Sequence, residues 1–453
     1  MALTKVSYSM ISGETANILD YGADPTGVSS STAALNAAIA TGNAVFIPQG
    51  TFLLTGQSVV PSGMRIFGVG STKSMLKCDT TAHTGDFLRV AGGNNDLEHF
   101  GMFGTSTAAG TAIYLSAVNV YEFTGYVTVN DVNITEINLA VRINNLFDVT
   151  FNNCRLFGNI KGMLVDPQYD GVGDNGYFTT LTLNKTYMNQ NSDYGFRAIP
   201  TIVSKNLCFR DSVIESNTGV TSGYQSYIQN TDPFYIENCY FEAEPTIPFM
   251  RLFSCQTFIN QAFVNGTGGL DLQAGSNELV AFRFRGTAAT DKVIATGTIL
   301  QKVEFWDSNL GSSSNINSSR QVFKRTNIGA TYYDNYVYEL GLTLAQNSGV
   351  TNTSIQKEVL LYKRTVTATV PANDKVALIT DQACPNLWSD DFVIGSAQIS
   401  SSYQPDLIYQ VTTATTGSTE YFCVFARNFS ASPITLTNQL LKIMFVKGSA
   451  MAI

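Results

Sequence analysis

A chain of 453 residues exceeds the usual size of a single core, which predicts two domains or one elongated solenoid with an appendage. Charged residues make up only 14% while Gly reaches 37 and Asn, Ser and Thr recur, a balance that excludes helical bundles and favours stacked strands and turns. A formal net charge of −8 with no Lys/Arg cluster excludes nucleic acid as a partner and an anionic membrane surface as the main target.

The first residues, MALTKVSYSMISGE, contain no apolar signal-peptide core, and no run of about 18 apolar residues occurs anywhere. Synthesis in a cytoplasm is therefore expected, with no signal peptide and no membrane insertion. Residues 1–16 are predicted as a linker or anchor peptide and 17–60 as the cap of a solenoid. Within the cap, Ser31–Ala40 reads as a short amphipathic helix: Ser31 is its polar cap, Leu35, Ala38 and Ile39 share a face, and Gly42 follows. Such a helix would plug the solenoid's open end, where strand edges otherwise lie unpaired. Gly68-Val-Gly70-Ser71-Thr72-Lys73-Ser74 looks superficially like a phosphate loop, but no strand-to-helix context surrounds it, so a tight turn is expected.

From about residue 127 a period emerges, with apolar residues at offsets 0, +2, +5 and +7 and polar residues at +3 and +4. Val149-Thr-Phe151-Asn-Asn-Cys154-Arg-Leu156 sets the template, and units start at 127, 149, 181, 207, 234, 257, 280 (a weaker match) and 303. A spacing of two buries one face of a strand. The jump from +2 to +5 marks a polar two-residue corner, after which a second strand faces the same interior. Cys154 and Cys239 share offset +5 and are predicted to point inward as core residues. The seven cysteines lack paired spacing, so reduced buried thiols are expected, with neither a metal site nor a disulfide framework. The signature and intervening helices of a leucine-rich repeat are missing, and a propeller blade needs roughly 40 residues, which leaves a parallel β-helix over 61–340. The acidic, Gly-rich stretch Asp166–Gly176 lacks the spacing of a calcium hand and is expected to protrude as a loop. Beyond residue 340 the period stops. Six alternating runs, Val366–Val370, Val376–Ile379, Phe392–Ile399, Leu407–Val411, Tyr421–Phe425 and Leu440–Val446, predict a β-sandwich over 341–453 that serves trimerisation or carbohydrate binding.

Three blocks near the start carry a family resemblance: Asn17-Ile-Leu-Asp20-Tyr21-Gly22-Ala23-Asp24-Pro25-Thr26-Gly27, Pro48-Gln-Gly50-Thr51-Phe52 and Gly68-Val-Gly70-Ser71. With the coils that follow, over roughly residues 15–330, the chain resembles the pectate-lyase-like single-stranded right-handed β-helix superfamily as found in phage tailspikes and capsule depolymerases. The resemblance implies an all-β fold: a right-handed parallel β-helix with an N-terminal capping helix and a C-terminal β-sandwich-like domain. It also implies a homotrimer on the virion, joined to a phage tail or adapter protein, that binds and often cuts bacterial surface polysaccharide.

Metal-free glycoside cleavage needs two carboxylates at a set separation. Glu215 and Glu242 both lie eight residues after their unit starts, so they are predicted as neighbours on adjacent coils, about 5 to 6 Å apart. Like charges that close favour retaining one proton, as a general acid requires. Glu244, Asp211 and Glu237 are the reserve acids. The alternative for the pair is an ordinary solvated corner, since other units place Thr135, Phe157, Asn189 and Asn265 at that offset. Tyr187, Tyr240, Tyr224 and Arg210 are the substrate-binding candidates, because aromatic faces grip sugar rings and a guanidinium pairs with an acidic one. The only histidines, His83 and His99, lie in the first coils. Endo-glycosidic hydrolysis of capsule, O-antigen or exopolysaccharide is the expected activity, with no cofactor and no metal. The alternatives are β-elimination by a lyase and a non-catalytic receptor-binding fibre.

Overall fold

The structure, a computed structural model, describes residues 15–116, 124–144, 146–167, 178–219, 221–243, 247–266, 268–273, 277–286, 293–295, 302–310, 320–328, 331–339, 354–356, 359–370, 372, 375–383, 396–399, 407–416, 419–428 and 432–446. Two compact units divide the chain: Met1–Asn317 with Arg325–Tyr332, and Ser318–Lys324 with Tyr333–Ile453.

In the first unit short strands stack in parallel, rung upon rung, as a right-handed β-helix. A strand with one apolar face and no helix to cover it buries that face by closing around an interior shared with its neighbours. Each middle rung places two strands in a broad sheet and a third in a ten-stranded sheet; for one rung these are Lys205–Arg210 and Val213–Glu215, then Ser226–Gln229. Val127, Val149, Leu181, Leu207, Phe234 and Thr257 are register partners in succession, as the predicted unit starts require. The polar corner is real and has a backbone cause. Its second residue takes the left-handed conformation in rung after rung, at Asp131, Asn153, Lys185, Asp211 and Asn238 with φ between 48° and 53°. Short polar side chains tolerate that region best, which explains why Asn and Asp recur there.

One unit start is corrected. Thr257 pairs with Leu279, not Val280, and Leu279 in turn pairs with Val303. Leu279, Ala281 and Phe284 are therefore the inward residues, whereas Phe282 is 40% exposed. Val280 and Phe282 mimicked the alternation because this rung is apolar on both faces. Stacking also begins before residue 127: Val45 pairs with Ile66, Ile66 with Leu97 and Leu97 with Val129. The uneven chain lengths between these early partners hide the period.

The interior is mainly apolar and carries a polar seam. Phe196, Phe209 and Phe234 meet edge to face at 4.9 and 5.0 Å. Cys154 and Cys239 point inward as predicted. Asn159, Asn191 and Asn217 form a buried ladder, with Asn159 Nδ2 donating to Asn191 Oδ1 at 3.2 Å and Asn191 Nδ2 to Asn217 Oδ1 at 2.8 Å. Stacked amides satisfy one another where the chain leaves the broad sheet, so no polar group of the ladder is stranded.

The expected helix spans Thr32–Ile39 and buries Ala34, Leu35, Ala38 and Ile39. Ser31 is its N-cap residue but its side chain makes no capping bond; its hydroxyl instead accepts from the Asp24 N–H at 3.0 Å. Asp24 explains the Asp-Pro-Thr-Gly block. Its carboxylate accepts from the N–H groups of Thr26 and Ser29 at 2.9 and 2.7 Å and from the Thr26 hydroxyl at 2.7 Å. These donors, Ser29 first, hold its pKa well below the usual carboxylate range. Gly27 and Gly50 close the block: at φ +73° and +149°, an added Cβ would stand 2.8 Å from the side chains of Thr51 and Pro25 respectively. Gly68–Ser74 is the predicted turn, with Ser74 N–H donating to Gly70 C=O at 3.0 Å.

The second unit is antiparallel. Ser354–Gln356, Val359–Val370, Ile434–Val446 and Ser396–Ile399 form one sheet; Lys375–Ala383, Thr419–Asn428 and Leu407–Thr416 form another. Five of the six predicted runs fall wholly on strands, and of the run Phe392–Ile399 the described part, Ser396–Ile399, is a strand while Phe392–Gly395 lie outside the described residues.

Candidate functional site

Glu215 and Glu242 are register partners on adjacent strands of the broad sheet, in a ladder that continues to Asn189 on one side and Asn265 on the other. The strands Val213–Glu215 and Phe234–Ala243 turn Ile214 and Phe241 inward, and the alternation sends both glutamates out. Both carboxylates are held by neighbours. Asn189 Nδ2 donates to Glu215 Oε1 at 3.4 Å, and the Tyr240 hydroxyl donates to Glu242 Oε2 at 3.1 Å. Burial raises the Tyr240 pKa, opposed by a hydrogen bond with Asn265, while the Glu242 contact raises it further and keeps the phenol a donor. Tyr240 also stacks on Phe263 with ring centroids 5.7 Å apart, and Tyr187, 42% exposed, lies two rungs away in the same register row. The arrangement offers two carboxylates and an aromatic shelf along one outer face.

The remaining candidates do not all join this cluster. Arg210 and Glu237 pair with each other at 2.6 Å, so neither presents an unpaired charge. Asp211 sits at the left-handed corner and accepts from Asn238 Nδ2 at 2.6 Å. Tyr224 belongs with the ten-stranded sheet instead. Glu244 lies outside the described residues, as does most of the acidic loop, residues 168–176. His83 and His99 remain in the first rungs, where His99 Nδ1 contacts Asp131 at 3.1 Å. Among the described residues no three His, Cys, Asp or Glu side chains gather as metal ligands would.

The structure adds a groove that the repeat did not announce. It measures about 470 Å³ and opens on the ten-stranded sheet among Arg197, Tyr224, Tyr227, Gln229, Arg251 and Gln273. Arg197, Tyr227 and Arg251 are consecutive register partners there. Arg251 lies 2.8 Å from the buried Asp271 carboxylate and over the Tyr224 ring at 5.4 Å. Tyr224 and Tyr227 approach to 5.2 Å between centroids, and burial raises both phenol pKa values. Arg197 was not singled out from sequence, because this strand falls outside the offsets of the template and follows turns of unequal length.

These rungs define the class. Residues 15–241 match the family described as rhamnogalacturonase A/epimerase, pectate lyase-like, and the chain belongs to that pectate-lyase-like family. Among solved structures it is similar to the Acinetobacter phage vb_AbaP_AS12 gp42 tailspike, with 10% identity and a TM-score of 0.59 over 98% of this chain and 84% of that one. It is also similar to ORF18 of Geobacillus virus E2, with 13% identity and a TM-score of 0.51 over 97% of this chain and 79% of that one. At such identities the likeness is one of fold. No curated protein matches the sequence.

Proposed function

We propose that the chain is a phage tailspike subunit that binds bacterial surface polysaccharide and cleaves it internally by hydrolysis. The observation that carries this is the register pairing of Glu215 with Glu242. Rungs stack about 4.8 Å apart, close to the roughly 5 to 5.5 Å separation of a retaining pair. Glu242, oriented by the Tyr240 hydroxyl, serves as nucleophile or base, and Glu215 protonates the departing oxygen. Tyr187, Tyr240 and Phe263 supply faces for sugar rings. Homotrimerisation, a place on the virion and a tail or adapter partner complete the reading, supported by family membership and by a tailspike neighbour.

One observation favours β-elimination instead. The second groove sets the Tyr227 hydroxyl beside Arg197 and Arg251, a base next to groups that neutralise a uronate. Burial holds that phenol above its ordinary pKa and so keeps it protonated rather than as the phenolate base, and hydrolysis is the preferred reading. The test incubates purified protein with polysaccharides from a panel of bacterial strains, following new reducing ends and the ultraviolet absorbance of unsaturated ends. Reducing ends without absorbance, abolished in Glu215→Gln or Glu242→Gln, are expected. An absorbance rise makes the protein a lyase, and binding without products makes it an adhesin.

A further inference from the structure

We infer that the outward row of the ten-stranded sheet is a binding track for an anionic polysaccharide. The row runs through Arg89, Tyr114, Arg142, Arg197, Tyr227 and Arg251, which occupy one register line across the sheet, interrupted only by Leu164 between Arg142 and Arg197. Six steps of about 4.8 Å give a length of roughly 29 Å, which suits a segment of chain rather than a single sugar. The row is cationic in a protein of formal net charge −8.

Most of these arginines lack a close anionic partner. On the broad sheet Arg65 pairs with Glu98 at 2.7 Å and Arg210 with Glu237 at 2.6 Å, while Arg155 lies over the Phe157 ring instead. On the track only Arg251 has such a partner, Asp271. Arg89 Nε reaches the Ser116 hydroxyl at 3.1 Å, and Arg142 comes no closer than 3.8 Å to Asp166. Among the described residues Arg197 has no acid within ion-pair distance, and the Nε atoms of Arg142 and Arg197 are buried without any hydrogen-bond acceptor. A buried donor left unsatisfied is costly, and a carboxylate satisfies a guanidinium through two parallel bonds. Tyrosines lie between the cations: Tyr114 has Arg89 and Arg142 over its ring at 5.7 and 5.2 Å. Guanidiniums spaced by aromatic faces match a polymer that alternates carboxylates with the apolar faces of sugar rings.

The inference rests on the reading of the chain as a polysaccharide-acting protein and names the chemical class, a uronate-type glycan. Its test needs no cleavage. Binding of full-length protein to polygalacturonate, alginate and hyaluronan is measured against neutral dextran and against single-stranded DNA, at stepped salt. At least one uronate polymer is expected to bind more tightly than dextran and DNA, with affinity that falls as salt rises. Arg142→Gln and Arg197→Gln, confirmed folded by an unchanged thermal midpoint, should each weaken it about tenfold. Hydrogen exchange of the wild-type chain should show protection by that polymer at Tyr194–Ala198 and Ser226–Gln229, an outcome that needs no variant. The track is overturned if no uronate polymer exceeds dextran, if DNA binds as well, or if the Gln variants keep full affinity. Cleavage of a neutral glycan without uronate binding sinks the track alone, whereas uronate binding without cleavage of any glycan sinks the hydrolase reading alone.

Discussion

The outer sides of the broad and the ten-stranded sheet share one rung spacing and differ in how they treat charge. On the broad sheet neighbouring rungs answer each other: Arg210 meets Glu237, Asp211 meets Asn238, and Asn130, Asn152 and Asn184 pass hydrogen bonds along at 2.8 and 3.1 Å. On the ten-stranded sheet Arg142 and Arg197 leave donors unanswered. Satisfied ladders hold a solenoid together, while the half-exposed guanidiniums of the other sheet keep donor capacity that no acid of the chain takes up closely. Glu215 and Glu242 stand apart on the first face, two carboxylates set side by side where Arg65 with Glu98 and Arg210 with Glu237 pair opposites.

The largest expected effect tests those two carboxylates. Glu242→Gln should lower the rate of glycan cleavage about a thousandfold while leaving binding on the ten-stranded sheet unchanged. Equal rates for wild type and variant would reduce the pair to solvated corner residues. The next effect concerns the interior that both faces share. Asn191→Ala removes the middle of the buried amide ladder and takes the side-chain acceptor from the Asn159 N–H and the side-chain donor from the Leu156 carbonyl, so chemical denaturation should show a loss of about 3 kcal/mol. A loss near zero would mean the seam is not a structural bond network.

The thiols give a smaller effect with a definite sign. Burial pushes Cys154, Cys239 and Cys255 from an ordinary 9.0 up to about 12. A raised folded pKa gives stability that is complete below pH 9.0 and is lost as the pH rises toward about 12. Each thiol should cost about 1 kcal/mol by one pH unit above 9.0. Thermal midpoints measured across that window should fall, and a chain with the three cysteines replaced by alanine should show a flatter slope.

How far the sequence reached follows from which residues repeat. The broad sheet was legible because its two strands keep a fixed offset across the left-handed corner, so Val149, Phe151, Cys154 and Leu156 announce one another. The same regularity placed Glu215 beside Glu242. The ten-stranded sheet was not legible, since turns of variable length separate it from the template, and Arg197, Tyr227 and Arg251 align only through the register of the fold. Leu279 was lost for another reason: Val280 and Phe282, apolar on the outer face, imitated an inward strand. Tyr224 looked like a partner of Glu215 because both lie on one coil, but a coil has three faces and the turn between them carries Tyr224 to a different one.

The smallest effect sharpens the contrast between the faces most directly. Arg210 and Arg197 are both arginines on outward positions of neighbouring rungs, but Arg210 already has its carboxylate. The Arg210 and Glu237 side chains are 52% and 38% exposed, so solvent screens the pair, and Arg210→Ala should cost no more than about 0.5 kcal/mol in a denaturation experiment. It should also leave affinity for an acidic glycan on the ten-stranded sheet within twofold, because Arg210 does not touch that glycan and salt screens its exposed charge. If Arg210→Ala instead weakens glycan binding as much as Arg197→Gln does, charge pairing does not separate the two faces, and the polymer contacts the broad sheet as well.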